Sequence, residues 1–294
     1  MFKGAITALV TPFNEHGIDF AGLSANIEWQ IREGIHGFML PGSVGETGSL
    51  KEQEREQLIA HTVQAASKRV PVIVNVSHSS TEIVIERVRQ AQKLGADGLL
   101  VSTPYYNKPP QQGIYLHFKA IAENTSLPIC VYNIPCRTGT NIETATLEKI
   151  ADLPNIRAVK EASGNIGQIN DVINQICRKG RNFNVLSGDD LLAFPVLALG
   201  GHGVISTISN LLPKEVSALV GLVNANKFVE ARELHHQLSP LIKLAFVETN
   251  PIPIKYAMSL CGLAAGPCRL PLCELQPENK QKIAQLLKHM QLLP

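Results

Sequence analysis

The sequence predicts an α/β protein, a (β/α)₈ TIM barrel followed by a C-terminal helical extension. Three observations carry this expectation. Short apolar runs alternate with longer amphipathic stretches along most of the chain. The strand-then-helix unit recurs eight times, which suits a closed barrel better than an open doubly wound sheet. Each run also ends in a polar or glycine-bearing motif, the pattern expected where strand ends gather on one rim.

The units follow in order. Run 5–10 stops at Thr11-Pro12 and leads to a helical pattern at 23–33. Run 37–40 ends in Gly42-Ser43-Val44-Gly45-Glu46, before helix 51–67. Run 72–76 ends in Ser77-His78-Ser79-Ser80, before helix 81–94. Run 98–101 ends in Thr103-Pro104-Tyr105-Tyr106-Asn107, before helix 113–123. Run 129–132 ends in Asn133-Ile134-Pro135-Cys136-Arg137-Thr138-Gly139, before helix 142–152. Run 156–160 closes on Lys160, followed by Glu161-Ala162-Ser163-Gly164-Asn165 and helix 166–178. Run 185–186 ends in Ser187-Gly188-Asp189-Asp190, before helix 191–199. Run 203–205 ends in Ser206-Thr207, and its unit closes near Ala225. Residues 226–294 then read as helices at 228–248, 252–260 and 277–290. No Pro/Ser-rich linker precedes them, so barrel 1–225 and extension 226–294 are expected to form one structural unit.

Bulk properties narrow the function classes. With a formal net charge of only +2 and no basic block, nucleic acid and anionic membrane are poor partners. No apolar stretch approaches the roughly 20 residues that span a bilayer. The N-terminus runs into a strand without a signal-peptide pattern, so a cytoplasmic location is expected. The six cysteines form no CxxC or zinc-spaced pattern and read as free thiols. No metal site, no GxGxxG and no Walker motif is present, so no cofactor is expected.

Lys160 is the leading candidate for chemistry. A lysine at the end of a buried strand is expensive to keep charged, and desolvation lowers its pKa from about 10.4 toward that of a nucleophile. Glu161 is not expected to cancel the effect, because successive strand residues face opposite ways. The plainer reading, a lysine snorkelling at a strand end, stands beside this one. Tyr132, one strand earlier, is either a proton shuttle or a satisfied core phenol. Arg137 offers a planar fork for a carboxylate, or is a solvated loop arginine. The Gly42–Glu46 stretch could let backbone N–H groups approach an anion, or is a turn with no ligand. His78 and His202 read as structural, and Cys136 beside Arg137 is a minor candidate for a reactive thiol.

Taken together, these motifs resemble the pyruvate-dependent class I aldolases, the N-acetylneuraminate lyase family. The resemblance covers essentially the whole chain, including Phe246–Lys255 and Arg269-Leu270-Pro271. Arg137 with its flanks, Tyr105-Tyr106-Asn107 and Asn250-Pro251-Ile252-Pro253 point to the synthase branch. The resemblance implies a lyase of the diaminopimelate route to lysine, condensing pyruvate with L-aspartate 4-semialdehyde. It implies Lys160 as the Schiff-base residue and Tyr132 as acid/base, with Ser43 and Tyr106 relaying its proton. Tyr106 would enter from a neighbouring subunit of a homotetramer built from paired dimers. Substrate-binding positions would be Val44, Arg137, Ile205, Gly188, Asp189 and Asn250. Another aldolase of the same family, or a non-catalytic oxo-acid binder, remains open.

Three departures stand out. The usual threonine pair in the first glycine loop is Ser43-Val44, which removes one hydroxyl near the pyruvate carboxylate. The third strand ends in Asn75-Val76-Ser77-His78 in place of a glycine/threonine stretch. At positions matching the pocket of lysine-inhibited members stand Glu52, Arg55, Ser79 and Ile83, so weak or absent feedback inhibition by L-lysine is expected.

Overall fold

In the computed structural model, which describes residues 1–293, eight parallel strands close into a barrel. They are β1 (Gly4–Ala8), β4 (Gly37–Leu40), β5 (Val72–Asn75), β6 (Gly98–Ser102), β7 (Ile129–Asn133), β8 (Ile156–Glu161), β9 (Asn184–Ser187) and β10 (Gly203–Ser206). Each pairs with its sequence neighbours, and β1 pairs with both β4 and β10 to complete the ring. Strands buried on both faces need apolar residues at nearly every position, which is why they read as continuous runs. Every residue of β1, β4, β5, β6 and β10 is buried.

Strand boundaries depart from the apolar runs for a physical reason. Several strands continue one residue beyond the run, to Ser102, Asn133, Glu161 and Ser206, because the ladder uses backbone groups and tolerates a polar side chain. The first strand does the reverse. It ends at Ala8, and beyond it the Val10 N–H donates to Asn210 Oδ1 at 3.0 Å. Asn210, fully buried, also donates to Ala8 O (2.7 Å) and Thr207 O (2.9 Å), stitching the first strand end to the last. A two-stranded antiparallel hairpin, β2 (Phe13–Asn14) with β3 (Gly17–Ile18), is too short to show a sequence pattern.

The helices lie where the amphipathic stretches predict, with shifted ends: those at Phe20–Arg32 and Gln111–Ala122 begin two or three residues early, while others stop short. The pattern at 191–199 resolves into a 3₁₀ turn, Asp190–Leu192, and the helix Ala193–Ala198. Three helices follow the barrel: Phe228–Leu244, Ile252–Leu260 and Pro277–His289. The last packs against the other two. The extension reaches the barrel through Asn26 Nδ2, which donates to Ala264 O at 2.6 Å, and through the buried Lys255. Among the described residues no helix is long and apolar enough to cross a membrane.

Candidate active site

Parallel pairing sets Tyr132 of β7 directly beside Lys160 of β8, so both side chains leave the same face of the sheet. The Lys160 Nζ lies 4.3 Å from the centroid of the Tyr132 ring. Lys160 is 5 % exposed, and burial lowers its pKa to about 8, with Cys130 and Asp190 opposing the shift and Arg137 adding to it. At that value about a tenth of the amine is neutral at pH 7, against well under a thousandth for a free lysine. The bland reading of a snorkelling lysine is thereby disfavoured, because the amine is not in water.

Glu161 points the other way. Its carboxylate accepts from Asn133 Nδ2 (2.6 Å) and Ser163 Oγ (2.5 Å), and burial raises its pKa. Asn133 also ties down the Arg137 loop: its Nδ2 donates to Asn141 Oδ1 at 2.9 Å and its Oδ1 accepts from the Ile142 N–H at 3.0 Å. Thus β8 presents the amine inward while its next residue anchors the loop outside.

A cavity of about 590 Å³ opens at the rim where the strands end. Lys160, Tyr132, Ser43, Arg137 and Asn250 all line it. Its ionisable lining comprises Lys160, Arg87, Arg137 and Arg269 as cations and Glu46 as the carboxylate, with His78 also present. Glu46 is ion-paired to Lys255 at 2.7 Å, and Arg87 and Arg269 to Glu52 and Glu54, so Arg137 and Lys160 are the remaining lining cations and suit a carboxylate-bearing ligand. Asn250 is 6 % exposed and its Oδ1 has no hydrogen-bond partner, an acceptor left for a ligand donor.

Burial raises the Tyr132 phenol above its ordinary range, with Arg137 opposing. The phenol therefore stays protonated at neutral pH, a hydrogen-bond donor at the cavity wall. Gly188 is needed for space: a Cβ there would sit 3.0 Å from both Cγ and Cε of Lys160.

Other candidates lie apart from the cavity. Val44 (3 % exposed) and Ile205 (1 % exposed) are buried apolar side chains that could offer only backbone groups. The Asp189 carboxylate accepts from the Leu191 N–H at 2.8 Å, capping the 3₁₀ turn. Its neighbour Asp190 is the buried carboxyl whose charge acts on Lys160; it accepts from the N–H groups of Thr207 (2.8 Å) and Ile208 (3.2 Å), and burial raises its pKa. The tandem Asp189-Asp190 marks the spot in sequence, but not which carboxyl turns inward. Tyr106 is 93 % exposed and does not line this chain's cavity, whereas Tyr105 does. Glu46, Lys255 and Arg269 were not singled out from sequence, since their contacts span more than two hundred residues.

The pocket region noted for lysine is dominated by guanidinium groups. Arg55 is 3 % exposed, donates to Asn75 O and has Nε and Nη1 without hydrogen-bond partners. Arg87 is paired with Glu52 and donates to Ser77 O at 2.9 Å. Among the described residues no group of three or more His, Cys, Asp or Glu side chains could hold a metal ion.

Known proteins share this sequence and fold. The sequence model of the Dihydrodipicolinate synthetase family matches residues 1–290. A 4-hydroxy-tetrahydrodipicolinate synthase from Protochlamydia amoebophila is 47 % identical over 98 % of this chain and 96 % of its own length. One from Thermodesulfovibrio yellowstonii is 43 % identical over 98 % of each. The crystal structure of dihydrodipicolinate synthase from Thermotoga maritima superposes with a TM-score of 0.97 at 41 % identity, covering 100 % of both chains. With a barrel of this topology, a buried lysine beside a tyrosine at its mouth and relatives matching along their full lengths, the chain belongs to the dihydrodipicolinate synthetase family.

Proposed function

We propose that this chain is a 4-hydroxy-tetrahydrodipicolinate synthase that joins pyruvate to L-aspartate 4-semialdehyde through a Schiff base on Lys160. The observation that carries the reading is the buried amine, its pKa lowered to about 8, set against the Tyr132 ring. The neutral amine attacks the keto carbon of pyruvate, and loss of water leaves a protonated imine. Loss of a methyl proton gives an enamine, whose terminal carbon attacks the semialdehyde carbonyl. The amino group of the semialdehyde then adds to the imine carbon, closes the ring and releases Lys160. Tyr132, held protonated, supplies the proton for departing water, with Ser43 as the hydroxyl at hand in the same cavity. Arg137 is the fork for the semialdehyde carboxylate, and backbone groups of the loops at Val44 and Ile205 are assigned to the pyruvate carboxylate on the resemblance. Gly188, Asp189 and Asn250 complete the substrate-binding set.

The proposal extends to a cytoplasmic homotetramer of paired dimers. Six free cysteines suit a reducing compartment. The 93 % exposure of Tyr106, outside the lining of its own chain's cavity, supports its acting in a neighbouring subunit. Feedback by L-lysine is weak or absent in this reading, because Glu52, Arg55, Ser79 and Ile83 do not match the polar pattern of the lysine-inhibited members; inhibition at sub-millimolar lysine would contradict it.

The test is turnover of pyruvate with L-aspartate 4-semialdehyde, compared with cleavage of N-acetylneuraminate and of sugar acids. The synthase reaction is expected to exceed the cleavages by at least about 100-fold in kcat/KM. A preference for either cleavage would overturn the substrate assignment.

A further inference from the structure

Glu46 closes the glycine loop that carries Ser43 and Val44, and nothing in the chemistry above uses it. It adopts a left-handed backbone, φ 53°, which a residue other than glycine holds only when its surroundings enforce it. The side chain is almost wholly buried, and both its oxygens are engaged by the C-terminal extension. Oε1 accepts from Lys255 Nζ at 2.7 Å, and Oε2 accepts from the Arg269 N–H at 2.8 Å. Lys255 is equally buried, and its ammonium has three acceptors: Glu46, Pro267 O (2.8 Å) and Thr11 O (3.2 Å). Thr11 in turn donates from Oγ1 to Gly45 O at 2.8 Å. Arg269 reaches past the loop to Glu54 at 2.7 and 2.9 Å and lies over the Phe13 ring at 4.0 Å.

A buried ion pair is weak ground for stability, since apolar side chains of the same volume often serve as well. What such a pair does supply is orientation. The backbone of Glu46 donates to Ser43 O at 3.2 Å, and Thr47 N–H donates to Gly42 O at 3.1 Å, so rotation of Glu46 rotates the turn that presents Ser43 and Val44. The Arg137 loop hangs from a separate network, Asn133 with Glu161 and Asn141.

We propose that Glu46 is a positioning residue for the keto-acid half of the site, held in register by Lys255 and Arg269 of the C-terminal extension. This rests on the pyruvate chemistry proposed above and adds to it a positioning task for Lys255 and Arg269, beyond the barrel. Its signature is one-sided: loosening the clamp weakens pyruvate binding and leaves the aldehyde half alone.

The experiment measures kcat and both Michaelis constants for Glu46→Gln and for Glu46→Gln/Lys255→Met, alongside thermal unfolding. In Glu46→Gln the KM for pyruvate is expected to rise about ten-fold or more, while that for the semialdehyde stays within about two-fold. The double variant removes both charges together, so it folds even where the single one does not. It is expected to approach wild-type thermal stability with the pyruvate KM still raised. A pyruvate KM within about two-fold of wild type in a folded variant would overturn the proposal, as would equal rises for both substrates. Wild-type protein that fails to turn over these substrates would instead overturn the functional reading.

Discussion

Lys160 shows how much chemistry one buried side chain imposes, and what it costs. Its folded pKa of about 8 lies below the ordinary 10.5 because burial disfavours the charge. Between those values the unfolded chain holds a proton that the folded chain has lost, so stability rises with pH through that window. Below about pH 8 the full penalty is present, roughly 3 kcal/mol for a shift of this size. Lys160→Met is therefore expected to be more stable than wild type at pH 7 by about 2–3 kcal/mol, with the gain shrinking as pH climbs toward 10.5. Urea unfolding of both proteins at several pH values checks this. A variant less stable at every pH would mean that Lys160 is not a strained group. At this scale Lys160 and Tyr132 were legible in the sequence because strand ends one unit apart must become neighbours in a parallel barrel. Glu46 was not, because its meaning lies in Lys255, 209 positions away. Asp189 and Asp190 were legible only as a pair: which carboxyl caps the turn and which turns inward depends on backbone geometry at Ser187–Leu192.

At the scale of elements, the strand-and-helix pattern was readable because burial on both faces forces continuous apolar runs, and each run supplied its strand. Strand ends were less so. Asn133 and Glu161 extend their strands although their side chains break the pattern, and β1 stops early where Asn210 takes over a ladder donor. Asn210 is the closing stitch of the barrel, bonded to the Val10 N–H, Ala8 O and Thr207 O. Asn210→Ala leaves the buried Val10 N–H without its acceptor and takes the side-chain donor from Ala8 O and Thr207 O, and is expected to destabilise the fold by about 2–4 kcal/mol. Loss of under about 0.5 kcal/mol in denaturant unfolding would show that the barrel closes without it.

For the whole molecule, the central question is what covers Tyr106. Its phenol is 93 % exposed and does not line its own chain's cavity. If it completes the site of a partner subunit, Tyr106→Phe and Lys160→Ala proteins, each nearly inactive, should restore activity when unfolded and refolded together. Random pairing into dimers leaves about a quarter of the sites with both intact residues, so recovery near a quarter of wild-type activity is expected. No recovery would confine Tyr106 to its own subunit. The extension belongs to this scale as well: beyond Asn250, which the resemblance already implied, it reaches back to the rim through Lys255 and Arg269.

The most direct measurement is borohydride reduction of the protein with pyruvate as pH is varied, followed by mass analysis of the Lys160 peptide. One reduced pyruvyl group on Lys160 is expected, with an initial trapping rate that rises through an ionisation near pH 8 and then levels off. Adduct on another lysine, no adduct, or a rate that climbs without levelling until about pH 10, as for an exposed amine, would contradict a buried Lys160 of lowered pKa as the group that captures the keto acid.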